Sequence, residues 1–362
     1  MHLGVETASM AGDLRGIGRY TRRLLSHFAR LRPDLRVTLY TDSARKARAL
    51  AAELPGLGYG PERGAVARVD SLRDDPPDLL WYPWSRITHR TAGLRTVVTI
   101  HDLAPFYLES RSWLRRLDRW RRRRRLHDTA RRADLILTDS QYSRDDILAR
   151  LGVPPDRVIA IPLAADDFVP AQGALDRGWL ARRFGLVGDY LLFVGARDRR
   201  KNLPRLRDAF QALRGGAGPA AQLAICGHPG PPGASEPGVS WLGRVTDEEL
   251  RALYQGACVF VLPSLLEGFG LPVLEAMASG TPVICSNTTS LPEVAGDAAL
   301  YFDPLDVEEM ARQMMRCLGD EALRTDLVTR GFEQARKFRW EYTARRTLTA
   351  FDAVLASASK DR

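Results

Sequence analysis

Residues 258–285 most restrict how this chain can fold. Cys258-Val-Phe-Val-Leu262 is an apolar, β-branched run of strand length. A loop holding Glu267, Gly268 and Gly270 follows, and Pro272 opens a helix, where a first-turn residue needs no N–H. Gly280 closes that helix, Pro282 blocks its continuation, and Val283-Ile-Cys285 is the next strand. Strand, loop, helix and strand in this order call for a parallel sheet with helices on its faces.

The same alternation runs through nearly the whole chain. Strands are expected at His2–Glu6, Val37–Thr41, Asp78–Tyr82, Thr96–Ile100, Leu135–Thr138 and Val158–Ile161, with helices between them. A second series starts at Tyr190–Val194 and continues through Gln222–Cys226 and Trp241-Leu242. Residues 166–188 lack strand character and read as a linker with one helix, which separates domains at 1–165 and 189–339. Two such halves facing each other would put a cleft between the carboxyl ends of both sheets, where ligands bind.

The loop before Pro272 suggests a ligand. Backbone N–H groups from Phe269 to Val273 would point from the helix start at the positive end of its dipole, a place for a phosphate. Gly268 and Gly270 let the backbone come close to it. Glu267 and Glu275 bracket this anion site. Carboxylates repel phosphate, so they read as acceptors for hydroxyls on either side of it. Hydroxyls on both sides of a diphosphate describe a nucleotide sugar. Two glutamates that merely favour a helix start are the plainer alternative.

Other motifs are weaker alone. Gly16-Ile-Gly18 precedes a helix, but a dinucleotide fingerprint wants a third glycine where Thr21 stands. The loop is either a close approach to a diphosphate or an ordinary turn. His101 and Asp102 sit at a strand's carboxyl end, where doubly wound sheets place ligands, although a lone histidine is more often structural. Arg197 to Lys201 form a cationic turn after another strand, and Thr246 with Glu249 forms a capping box.

Taken whole, Glu-Gly-Phe-Gly-Leu-Pro-Val-Leu-Glu-Ala-Met-Ala-Ser-Gly-Thr-Pro-Val, residues 267–283, resembles the Glu-x(7)-Glu signature of the family-4 retaining glycosyltransferases. The resemblance implies the GT-B fold, an α/β architecture of two Rossmann-like domains facing each other across a cleft. It makes 1–165 the acceptor side, with the final helix, 340–357, packing back on it, and 189–339 the nucleotide-sugar side. Glu275 would hold the ribose, and Glu267 the donor hexose with the backbone of Phe269, Gly270 and Leu271. Ile-His-Asp-Leu-Ala-Pro-Phe is similar to a family motif whose histidine lines the donor sugar pocket, which implies that role for His101. The Gly…Arg-Lys-Asn segment implies that Arg200 and Lys201 face the β-phosphate. Ala196 stands where arginine is common, so Arg197 and Arg200 both remain candidates. The backbone of Val245 would touch the nucleobase, and Gly16 and Gly18 resemble the acceptor-side loop of one branch. Pro162-Leu-Ala-Ala-Asp166 departs from the pattern by lacking a glycine. Family membership further implies retention at the anomeric carbon, no required metal and no resident cofactor. Val-Gly-x(4)-Arg-Lys-Asn-Leu is like segments of mannosyltransferases, which favours GDP-mannose as donor.

Composition narrows the setting. The 362 residues suffice for two domains, with 45% hydrophobic and 27% charged residues as in globular proteins. No apolar run approaches the ~20 residues of a membrane span, and the start lacks a signal-peptide plan, so an intracellular enzyme is expected. Cys226, Cys258, Cys285 and Cys317 have no metal or redox spacing. Between Arg111 and Arg132 there are 11 arginines against Asp118 and Asp128. The helix 113–133 reads either as packed through Trp113, Leu114, Leu117 and Trp120, or as a surface for anionic lipid at the inner face of a membrane. No nucleic-acid motif accompanies it, so nucleic acid is not an expected partner. The expected activity is transfer of a hexose to a sugar or lipid-linked acceptor in cell-envelope polysaccharide synthesis. An NDP-sugar epimerase, a phosphorylase or a non-catalytic binding protein are the alternatives.

Overall fold

The computed structural model describes residues 1–8, 10, 16–89, 92–107, 112–170, 175–215, 221–231 and 236–360. Contacts divide the chain into two units, Met1–Leu163 with Trp340–Arg362, and Ala164–Arg339.

The first unit is built on β1 (His2–Glu6), β2 (Arg36–Thr41), β3 (Gly64–Arg68), β4 (Leu79–Tyr82), β5 (Arg95–Thr99), β6 (Leu135–Thr138) and β7 (Val158–Ala160). They form a parallel sheet in the order β3-β2-β1-β4-β5-β6-β7. The second is built on β8 (Tyr190–Val194), β9 (Gln222–Cys226), β10 (Val239–Gly243), β11 (Val259–Leu262), β12 (Val283–Ser286) and β13 (Ala299–Phe302), in the order β10-β9-β8-β11-β12-β13, again parallel. Strand order reverses between β1 and β4 in one unit and between β8 and β11 in the other. The carboxyl ends of those pairs are the switch points at which doubly wound sheets open a crevice.

Burial explains which strands the sequence announces. β1, β4, β11 and β12 are buried along their whole length; β4 and β11 are continuous apolar runs without alternation, β12 departs only at Ser286, and β1 buries the polar His2 and Glu6 at its ends. Val5 pairs with Leu39 on one side and Trp81 on the other. β3, Gly-Ala-Val-Ala-Arg, is a half-exposed edge strand of low apolar content and was not among the expected strands. β13, the opposite kind of omission, is an edge strand made visible only by its pairing with β12.

The structure bears on three readings of the sequence. Residues 166–188, read as a linker with one helix, fall within the second unit and carry that helix, Arg177–Phe184, whose Leu180 is buried. In the closing helix, Trp340–Lys360, the inner residues are Trp340, Ala344, Leu348, Phe351 and Val354, whereas Tyr342 is exposed. Phe351 meets Phe28 and Trp81 at ring-centroid distances of 6.0 and 5.7 Å, so this helix completes the first unit's core. Finally, the basic helix Trp113–Arg132 is not packed through its tryptophans. Trp113, Leu114, Leu117 and Trp120 are 70%, 59%, 37% and 51% exposed. Only Leu126, Thr129 and Ala130 are buried, because the core beneath, with Ile136, Ile147 and Leu151, underlies the helix's carboxyl-terminal half alone.

Candidate active site

In the second unit the site grows from the end of β11. The chain turns at Pro263 and reaches Gly270, whose φ of 106° suits only glycine. A Cβ there would also lie 2.6 Å from a Leu291 methyl. The helix Leu271–Ala278 then begins, with Pro272 in its first turn. Val273 N–H bonds to the Gly270 carbonyl at 2.9 Å, which removes it from the expected phosphate donors. Among the described residues, nothing accepts from the N–H groups of Phe269, Gly270 or Leu271. Three consecutive open donors are the arrangement with which a backbone concavity can take an anion.

Two neighbouring turns fix this loop. The Arg200 carbonyl accepts from Leu265 N–H at 2.7 Å, which brings the turn after β8 against it. Lys201 Nζ thereby reaches Glu267 Oε1 at 2.6 Å, and Ser264 Oγ donates to the same oxygen at 2.6 Å. The structure thus joins two residues that lie 66 positions apart. From the other side, Ser290 Oγ donates to the carbonyls of Glu267 and Phe269 at 3.1 and 2.8 Å, and Thr289 Oγ1 accepts from Glu267 N–H at 3.3 Å. Thr289 has φ 59°, a costly conformation for a β-branched residue and one that collects at functional sites.

The remaining second-unit residues divide clearly. Glu275 is buried, and Tyr254 donates to its Oε2 at 3.0 Å. Arg200 is committed to Asp198 through Nε and Nη2 at 2.8 and 2.7 Å. Burial pushes the Asp198 carboxyl up, but the Arg200 hydrogen bonds prevail and hold it below its ordinary value. Arg197 is exposed and makes no ion pair among the described residues. Val245 is buried beside the capping box, in which Glu249 N–H donates to Thr246 Oγ1 and Thr246 N–H donates to Glu249 Oε2.

In the first unit, Gly16 starts the helix Ile17–Leu31 at φ 61°, and Gly18 is buried within it. Residues 11–15 of that glycine loop lie outside the described residues. His101 follows β5. Its Nδ1 lies 2.6 Å from Asp139 Oδ2 and its Nε2 3.1 Å from the Pro83 carbonyl. Asp102 accepts from Ala104 N–H at 2.8 Å, and its charge also bears on the His101 ring. The orienting carboxylate is Asp139, which is buried at the end of β6. Burial opposes charge on the His101 ring, but the charge and hydrogen bond of Asp139 outweigh it and raise the pKa above its ordinary value. Asp139, Tyr254, Ser264, Thr289 and Ser290 carry no local signal, since each meets its partner only through the fold. Among the described residues no cluster of His, Cys, Asp or Glu is placed to hold a metal.

Family profiles match both units, one described as "Glycosyltransferase Family 4" over residues 14–167 and one as "Glycosyl transferases group 1" over residues 187–334. O-antigen chain mannosyltransferase B of Escherichia coli is 36% identical over 78% of this chain and 76% of its own length. Sucrose-phosphate synthase from Thermosynechococcus elongatus superposes with a TM-score of 0.74 at 21% identity, covering 99% of this chain and 100% of that one. HepE from Anabaena, solved with UDP-glucose, gives 0.74 at 16% identity over 98% and 100%. With its Glu267 to Glu275 signature built around one loop of open N–H groups, the chain has the GT-B fold and belongs to the family-4 glycosyltransferases.

Proposed function

We propose that this glycosyltransferase moves mannose from GDP-mannose to a glycan or lipid-linked acceptor, with retention and without a metal or resident cofactor. The observation that carries this reading is Lys201, paired with Glu267 beside the open N–H groups of Phe269, Gly270 and Leu271. The reaction breaks the bond from the sugar's C1 to a diphosphate oxygen, so negative charge grows on the leaving group. Fixed donors aimed at that charge lower the barrier most. Lys201 and the three N–H groups supply them, and Glu267 is left to face donor hydroxyls. Arg197 is the better second cation, because Arg200 is held by Asp198. Glu275, steadied by Tyr254, would take the ribose hydroxyls. The name of the E. coli relative supports mannose, and the UDP-glucose bound to HepE supports a nucleoside diphosphate sugar donor.

Incubation with GDP-mannose and α-mannobiose in EDTA tests this directly. NMR of the product should show a new α-anomeric proton. A β-anomer, or loss of transfer on chelation, contradicts the reading.

A second observation concerns where the enzyme works. No helix among the described residues is long and apolar enough to cross a membrane. The helix Trp113–Arg132 nevertheless exposes an apolar stripe. At about 100° per residue, Trp113, Leu117 and Trp120 fall within about 60° of one another, away from the buried Leu126 and Ala130. Arginines flank the stripe, and Arg124 stacks over Trp120 at 4.8 Å. Apolar rings rimmed by cations fit the headgroup region of an anionic bilayer. This surface would hold the enzyme at the inner face of a membrane, where lipid-linked acceptors lie.

A further inference from the structure

Both ring nitrogens of His101 face oxygen acceptors, Asp139 Oδ2 at 2.6 Å and the Pro83 carbonyl at 3.1 Å. A neutral imidazole has one N–H, so it would turn one lone pair towards an oxygen. Both contacts become hydrogen bonds only when the pair holds one proton more than a neutral ring beside a carboxylate. We propose that Asp139 is a positioning residue that locks His101 as an imidazolium, and that His101 is therefore not the base of the transfer reaction. The inference rests on the transferase reading and assigns the protonation state of one of its residues.

A histidine with a buried carboxylate behind it is the usual arrangement of a general base. That arrangement needs the far nitrogen free for substrate. Here the Pro83 carbonyl covers it. The Tyr20 ring stands edge-on to the imidazole at 5.1 Å and 89°, and Ser143 Oγ donates to the His101 carbonyl at 3.5 Å. The titratable groups that bear on the ring are Asp139 and Asp102, with Tyr20 packed against it. Both carboxylates favour the charged ring over the neutral one. Tyr20 stays neutral, because burial in first place and the Asp139 charge in second push its phenol well above ordinary. The ring is thus held in place and in charge by its own unit.

Nitrogen-15 NMR of the full chain tests this without any substrate, with the His101 signals assigned from a His101→Gln variant. Both ring nitrogens should show the protonated pattern at pH 7.5, and titration should centre above the ordinary value of about 6.5. In Asp139→Asn the ring should titrate at or below the ordinary value, and kcat should fall about tenfold with donor KM within about twofold. The sign of the pH dependence separates the roles. Turnover of the wild type should fall as pH rises through the His101 value, whereas a general base would gain activity over that range. A neutral His101 in the wild type at pH 7.5 overturns the proposal, and so does an unchanged titration in Asp139→Asn. The wild-type titration decides alone if that variant does not fold. A failed transferase reading would show instead as absent donor binding, with the NMR result unaffected.

Discussion

At the scale of single residues, the second unit's chemistry turns on Lys201. Its ammonium is largely buried against Glu267, so it is preorganised and loses little freedom when a diphosphate arrives. Lys201→Ala should lower kcat by about 10²- to 10³-fold in a single-turnover assay, with thermal unfolding close to wild type. The two arginines should separate. Arg197→Ala should raise donor KM, while Arg200→Ala should mainly loosen the turn, because its guanidinium is spent on Asp198. Equal kinetic effects of the two substitutions would contradict that division. Lys201, Glu267 and Glu275 were legible from their motifs. Asp139 was not, since nothing near position 139 indicates a histidine 38 residues earlier.

At the scale of elements, the loop and helix after β11 depend on one backbone angle. Gly270→Ala places a methyl against Leu291 and forces a left-handed residue, a cost of about 1–2 kcal/mol from the conformation alone. Circular dichroism melts should show that loss, together with weaker nucleotide binding. The closing helix is testable in the same way. Phe351→Ala removes a ring packed on Phe28 and Trp81 and should destabilise the first unit by about 3–5 kcal/mol in urea unfolding. Elements buried on both faces were legible as apolar runs, as with β8, β9 and β11. The edge strand β3 was not, because half of its surface faces solvent and its composition is that of a loop. The basic helix shows the opposite failure. Its spacing of tryptophan and leucine matches a packed stripe, and only the position of the core beneath its second half shows that the stripe faces out.

At the scale of the whole molecule, a net charge of +9 is concentrated by 11 arginines between Arg111 and Arg132. Replacing Arg121, Arg122, Arg124 and Arg125 with glutamine should abolish sedimentation with vesicles containing phosphatidylglycerol. Arg123 is best spared, because it bonds to the Pro105 and Phe106 carbonyls and stacks on Phe106. Trp113→Ser with Trp120→Ser should weaken the same binding and leave transfer to a soluble acceptor near wild type. Unchanged sedimentation in both variants would remove the membrane surface from the account. The division into two doubly wound units was legible from the alternation of strands and helices, although the expected linker belongs to the second unit. The central claim is a nucleoside diphosphate held by Lys201, the Phe269–Leu271 N–H groups and Glu275. Thermal unfolding of the purified protein with GDP, UDP or ADP, each with and without EDTA, tests it most directly, since stabilisation grows with free ligand over its dissociation constant. The account predicts a clear upward shift with GDP that survives EDTA and disappears in Lys201→Ala. No shift with any of the three nucleotides, or a shift that EDTA abolishes, would contradict it.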